Sequence, residues 1–171
     1  MQSIQLFINA IDRFTDSFGR LLAWLVVLMM LAMATVVLLR YGLQVGSIAL
    51  QESITYMHAG LFMLGLAYTL KHNGHVRVDI FYRYYSARQQ AWINSLGGII
   101  FLLPLCLFIV GISWGFVGQS WEIREISTEP GGIPAVFLLK TLIPLMAINL
   151  FVQGLAEVLR NTLLLMTRPV E

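Results

Sequence analysis

The sequence predicts an all-α integral membrane protein with four transmembrane helices. Three observations support this: an apolar composition, four long apolar segments and one long polar interruption at the centre of the chain. Of the 171 residues, 58% are hydrophobic and 12% are charged, and the mean hydropathy is +0.77. A soluble domain has roughly 45–50% apolar residues and about 25% charged residues. The alternative, a soluble helical protein, is therefore disfavoured because too few polar side chains remain to cover its surface.

Each apolar segment has about the ~20 residues needed to cross the hydrocarbon core of a bilayer. Arg40 follows the first segment, Asn73 and Gly74 supply a helix C-cap after the second, and Pro104 predicts a kink in the third. The four segments form one membrane domain over residues 1–171. The predicted spans are approximately 21–39, 48–70, 92–117 and 135–159.

The N-terminal segment before the first span is amphipathic. Its apolar residues recur at helical spacing, and its charged residues Asp12, Arg13 and Asp16 lie largely off that stripe. Two interpretations remain open. The segment either lies in the membrane surface or extends the first span and packs on the other helices. The apolar stripe consists of Ile4, Phe7, Ile8, Ile11, Phe14 and Phe18.

The polar interruption between the second and third spans, residues 71–88, predicts the orientation. Short loops rich in lysine and arginine stay in the cytoplasm. Placing this loop and both termini inside puts eight of the eleven lysines and arginines on the cytoplasmic side. In the same loop, tyrosines and arginines mix after Asp79, which predicts a short interfacial helix in contact with membrane lipids.

Two polar side chains inside the second span need an explanation. A carboxylate in a membrane is costly unless it is paired, so we expect Glu52 to form a structural ion pair with Arg40 or Lys140. A proton-coupling site at Glu52 is the competing interpretation. His58 is predicted to be a hydrogen-bonded packing histidine, because no other span supplies a second histidine for haem.

Two features indicate faces for a neighbouring helix. Asn149, Gln153 and Glu157 recur every four residues, so they share one face of the fourth span, which either packs internally or meets another membrane protein. Gly111 and Gly115 allow close approach to the third span, within the protein or from a partner.

Other function classes find no support. The sequence contains no nucleophile beside a base, no glycine-rich phosphate loop and no cluster of metal ligands, so no enzyme, cofactor or metal site is predicted. A formal charge of +2 is too small and scattered to predict nucleic-acid binding.

Several short motifs together resemble one family, the small membrane subunit of tripartite ATP-independent periplasmic (TRAP) transporters. The most specific is the loop after the second span, with His75, Arg77 and Asp79. Gln51 departs from the family pattern, in which an aromatic or small residue often precedes the glutamate. The other matching pieces are Arg40-Tyr41, Gln51-Glu52-Ser53, residues 65–71, residues 127–134 and residues 139–144.

The resemblance implies a scaffold subunit in the bacterial inner membrane, with both termini in the cytoplasm. It would hold a large, sodium-coupled membrane transport subunit and help to dock a periplasmic solute-binding protein, for uptake of an organic acid or related solute. Gly111, Gly115, Asn149 and Gln153 would contact the large subunit, and the acidic outer residues Glu122, Glu125 and Glu129 would form the docking surface. Sodium would bind to the large transport subunit. The alternative function is a self-contained, four-helix proton-coupled exporter that uses Glu52.

Overall fold

The computed structural model describes residues 1–76 and 82–166, and within these residues the chain is helical and contains no strand. A π-helical segment, Gly98–Leu102, joins two of the α-helices without a break. The α-helices are α1 (Gln2–Gly42), α2 (Ile48–Lys71), α3 (Ala87–Gly97), α4 (Leu103–Glu122) and α5 (Val136–Met166).

Three helical stretches of the described chain are long and apolar enough to cross a membrane: Gln2–Gly42, Ala87–Glu122 and Val136–Met166. The remaining long helix, α2, has 24 residues. That length also suffices for a bilayer core of about 30 Å, but Glu52 and His58 make α2 less apolar. The prediction of an all-helical membrane protein is confirmed, and α2 as a fourth span stays a prediction.

Helix α1 continues through the N-terminal segment as a single helix of 41 residues. At about 1.5 Å per residue it is ~60 Å long, roughly twice the thickness of the hydrocarbon core. Ile8 and Ile11 of this segment are buried against Ala156 of α5. The amphipathic segment therefore extends the first span and packs on another helix, although Phe7 and Phe14 of the predicted stripe remain exposed.

The long helices form an open layer with little interior. Helix α2 packs against α1 and α5, α5 also packs against α4, and α3 lies along α5. The chain crosses the layer four times, so both ends of the described chain lie at one edge, which we call the terminal end. The loops 43–47 and 123–135 lie at the opposite edge, the loop end. The buried hydrophobic residues are few: Ile8, Ile11, Leu22, Ala67, Ala91, Cys106, Val117, Ala147, Ala156 and Val158.

Pro104 lies in the first turn of α4, directly after the π-helical segment. The amide of Leu103 donates to the carbonyl of Gly98, an i to i−5 bond, so one wide turn precedes the proline. Because proline cannot donate a backbone hydrogen bond, this wide turn accommodates Pro104 within the helical path, and the kink predicted there stays a prediction. The interfacial helix predicted after Asp79 starts outside the described residues and stays a prediction.

Candidate functional site

Glu52 at the loop end holds the α4–α5 loop against α2. One carboxylate oxygen accepts a hydrogen bond from the hydroxyl of Ser127. The other accepts from the backbone amide of Ile133 at 2.6 Å. The amide of Ser127 also donates to the carbonyl of Ile133, at 3.3 Å, so the two ends of the loop meet at this carboxylate. Glu52 therefore acts as an anchor for the loop.

The predicted ion pair of Glu52 with Arg40 or Lys140 is wrong. Lys140 is paired with Glu125, with 2.5 Å between Nζ and Oε2, and Arg40 is exposed. Among the described residues, neither base forms a salt bridge with Glu52. The carboxylate is satisfied by a hydroxyl and an amide of a loop that is distant in sequence, and helical spacing cannot reveal such donors.

Glu125 forms a second attachment of the same loop. It accepts hydrogen bonds from Lys140 of α5 and, at 2.7 Å, from Ser120 of α4. The hydrogen bond from Lys140, followed by that from Ser120, holds the pKa of this carboxyl below its ordinary value of 4.5. Since the folded-state pKa is the lower one, the attachment is complete above about pH 4.5 and is lost only as the pH falls through the folded-state value.

The three residues of the predicted acidic docking surface differ in exposure and bonding. Glu122 and Glu129 are exposed at the loop end, whereas Glu125 is half-buried and bonded to Lys140. Two of the three carboxylates are thus available to another protein, and the third has a structural role within the loop.

A polar cluster with a buried centre lies at the terminal end and was missed by sequence reasoning. At its centre is Gln153, whose side chain is fully buried. Thr15 donates to its amide oxygen at 2.7 Å, and its amide nitrogen donates to Asp12 and to Glu157, each at 3.3 Å. Arg160 then joins Asp12, at 2.6 Å, to Glu157. We call these five residues the α1–α5 cluster.

A signal for this cluster is present in the sequence. Asp12 lies four residues after Ile8, and Thr15 lies four residues after Ile11, so one face of α1 mixes polar and apolar residues. Gln153, Glu157 and Arg160 lie four and three residues apart on α5. The sequence does not show that these two faces contact each other. That contact requires α1 to continue as one helix through its N-terminal segment and to pack alongside α5.

A second group of polar contacts at the terminal end attaches α1 to α2. Lys71 Nζ lies 2.6 Å from Asp16 and 2.9 Å from the carbonyl of Asp12. His72 lies 3.0 Å from the same Asp16 carboxylate. The hydrogen bond from Lys71 is the largest cause of the lowered pKa of Asp16, which is therefore ionised at neutral pH. The first part of α1 is thus fastened to two helices by charged and hydrogen-bonded groups.

The predicted contact of Gln153 with a partner is wrong, and that of Asn149 stays a prediction. Asn149 donates to the carbonyl of Leu64 on α2 at 3.0 Å, and Gln153 is buried within the α1–α5 cluster. Both side-chain amides therefore form hydrogen bonds to other residues of this chain. Gly111 and Gly115 are exposed, and a Cβ added at either would meet no atom within 4 Å. Their contact with a partner stays a prediction.

The histidines differ from one another in environment. His72 contacts Asp16, and His75 Nε2 lies 3.3 Å from the carbonyl of Leu66 near the end of α2. His58 is exposed on α2 and is stacked near Phe62, with 6.4 Å between ring centroids. His58 has no hydrogen-bond partner among the described residues, so the packing role predicted for it is not formed within this chain and stays a prediction. Arg77 and Asp79, the other two residues of the family-like loop, lie outside the described residues.

Within residues 1–76 and 82–166, no group of three or more histidine, cysteine or acidic residues could hold a metal ion.

A family model described as "Tripartite ATP-independent periplasmic transporters, DctQ component" matches residues 29–163, which is most of the chain and includes all or part of each helix. No curated protein and no solved structure gives a significant match.

Proposed function

Because the chain belongs to the DctQ component family of TRAP transporters, we propose that it is a scaffold subunit. It crosses the bacterial inner membrane four times, with the terminal end in the cytoplasm and the loop end in the periplasm. It holds the large membrane transport subunit and helps to dock a periplasmic solute-binding protein. The complete transporter takes up an organic acid or related solute, driven by sodium that binds to the large subunit.

The observation that carries this proposal is that the carboxylates of the predicted spans bond to other groups of the same chain. Glu52, the candidate coupling carboxylate, bonds to Ser127 and Ile133 and anchors a loop. Glu157, the other carboxylate in a predicted span, bonds to Arg160 and Gln153. A coupling carboxylate must exchange protons or ions during a cycle. Carboxylates that fasten one helix or loop to another support a static scaffold and disfavour the proton-coupled exporter.

Reconstitution tests this function directly. We expect vesicles that contain this chain alone to transport no solute, whether or not a sodium or proton gradient is imposed. Vesicles that contain this chain, the large subunit and the binding protein should accumulate solute only when sodium is higher outside. Vesicles with the large subunit alone are the control. Solute movement by this chain without companions would contradict the scaffold function.

Docking at the loop end gives a second prediction. Glu129→Lys reverses an exposed charge, and the carboxylate it replaces forms no hydrogen bond or ion pair with any described residue. We expect the concentration of binding protein that supports half-maximal transport to rise roughly three- to tenfold, because charges at the rim of an interface mainly change the association rate. The measurement is transport in vesicles titrated with binding protein at low and at high salt.

Arg13→Glu is the matched control, since it reverses one exposed charge at the opposite end of the layer. It should leave the titration unchanged. Glu125 is unsuitable for this test because its reversal would also break the bond to Lys140. An unaltered titration for Glu129→Lys, at any salt concentration, would remove this residue from the docking surface.

A further inference from the structure

One face of α2 is polar and points away from the rest of the chain. Gln51, Thr55 and His58 lie at positions i, i+4 and i+7, and all three are exposed. Phe62 continues the same face one turn further and is 64% exposed. Because α2 runs from Ile48 to Lys71, His58 lies close to the middle of the helix. In the proposed topology this places an exposed imidazole near the centre of the bilayer.

These three side chains form no hydrogen bond to any other described residue. Several other hydroxyls on the helices bond within their own helix, although those of Tyr56 and Ser95 are buried without a hydrogen-bond partner among the described residues. Thr35 of α1 is also exposed, but its hydroxyl donates to the carbonyl of Leu31 at 2.8 Å. Thr69 of α2 donates to the carbonyl of Gly65 at 3.1 Å. A polar group without a partner is costly in hydrocarbon, so Gln51, Thr55 and His58 require donors or acceptors from outside the chain.

The same face continues into a groove between α1 and α2. This groove has a volume of about 440 Å³ and is lined in part by Gly19, Ala23, Phe62 and Gly65. Gly65 lies seven residues after His58, so it lies on the same side of α2. A Cβ added at Gly65 would meet no atom within 4 Å. Small residues at this position allow another helix to approach closely.

We propose that this face of α2, which we call the α2 seam (Gln51, Thr55, His58, Phe62 and Gly65), binds a transmembrane helix of the large membrane subunit. That helix presents a hydrogen-bonding side chain at the depth of His58 and places a side chain in the groove beside Gly65. The inference rests on the proposed function, because it assigns the partner to a surface of the scaffold.

Lipid and a second copy of the chain fit this seam less well. Acyl chains offer no hydrogen bonds to His58 or Thr55. A two-fold dimer about an axis normal to the membrane would place the two copies of α2 side by side at equal depth, with the seam facing itself. The large side chains of Gln51, His58 and Phe62 would then meet their own copies and hold the two helices apart. A different helix with small and polar residues can complement the seam along its whole length.

Photocrosslinking of the assembled complex tests this placement. A benzophenone-bearing residue is introduced singly at positions 55 and 58, and at position 35 as the exposed control on α1. After illumination in native membranes, we expect adducts with the large subunit from positions 55 and 58, and none from position 35. Adducts with a second copy of this chain, adducts with lipid alone, or no adducts would each overturn the proposal.

A triple substitution measures the strength of the seam. In the variant Gln51→Leu, Thr55→Val, His58→Leu, each interhelical hydrogen bond lost should reduce the assembly constant about threefold, or roughly 20- to 30-fold in total. The amount of large subunit that co-purifies with the tagged chain at limiting expression reports this loss. Thr35→Val is the control and should retain the wild-type amount.

A second readout separates assembly from folding. Because the three side chains bond to no described residue, we expect the variant chain alone to resist denaturation in detergent at least as well as the wild type. Unchanged co-purification would overturn the seam. The benzophenone-bearing residue is also introduced at position 115 on α4. Adducts with the large subunit from position 115, with none from α2, would overturn the seam and leave the proposed function intact. A wild-type chain that retains no large subunit would contradict both.

Discussion

Replacing Gln153 with leucine is expected to destabilise the chain by about 2–4 kcal/mol, since each buried polar group left without a partner costs about 1–3 kcal/mol. Gln153 is fully buried. It accepts a hydrogen bond from Thr15 and donates to Asp12 and Glu157. Leucine fills a similar volume and can form none of these bonds. The measurement is unfolding of the purified chain in mixed micelles of increasing denaturing-detergent content, followed by circular dichroism.

The same variant should loosen the first turns of α1. The α1–α5 cluster and the contacts of Asp16 with Lys71 and His72 are the polar attachments of this segment. With Gln153 removed, we expect protease to cleave before residue 20 several times faster than in the wild type. An unchanged cleavage rate would show that Ile8 and Ile11 hold the segment without the polar cluster.

A double-mutant cycle with Thr15→Val isolates the central hydrogen bond. Replacing both partners with apolar groups is less costly than replacing one, so the double variant should lose less stability than the two single variants combined. Thr162→Val is the matched control on α5, because the hydroxyl of Thr162 bonds only within its own helix, to the carbonyl of Val158. Strict additivity of the Thr15 and Gln153 effects would contradict the bond.

Gly19→Ala is expected to destabilise the chain by about 1–2 kcal/mol, because the cost of overpacking exceeds the gain in helix propensity. A Cβ at position 19 would lie 2.2 Å from Cδ2 of Tyr68 and within 2.9 Å of two further ring atoms. The ring of Tyr68 is also in contact with His72, with 4.3 Å between ring centroids, so a shift of the ring disturbs this contact as well. Helices α1 and α2 must therefore separate, or the tyrosine must leave its site.

Gly65→Ala is the matched control for this prediction. It makes the same substitution on the facing helix, where a Cβ meets no atom within 4 Å. We expect the isolated chain to gain up to about 1 kcal/mol, since alanine is the better helix former. Detergent unfolding of both variants should therefore show changes of opposite sign. A stabilising effect of Gly19→Ala would indicate that α1 and α2 are further apart than the structure places them.

The composition and the four apolar segments were sufficient to predict the fold class. Insertion of an apolar segment into a membrane depends on the length of the segment and on its mean hydropathy, and both are properties of the sequence alone. All four segments lie in helices to within a residue, and the motifs around Glu52 and His75 pointed to the family that matches residues 29–163. Helical spacing likewise placed Asn149, Gln153 and Glu157 together on one face of α5.

Only the tertiary structure decided what lies opposite each face. Glu52 was expected to pair with a base, yet its partners are a hydroxyl and an amide of a loop more than seventy residues away. Asp12 was predicted to lie largely off the apolar stripe of α1, with no partner identified, and it bonds to Arg160. Periodicity indicates which side chains share a direction, but the neighbour in that direction depends on how the helices pack. For the same reason, the outward direction of Gln51, Thr55 and His58 became visible only when α1 and α5 were seen to cover the other sides of α2.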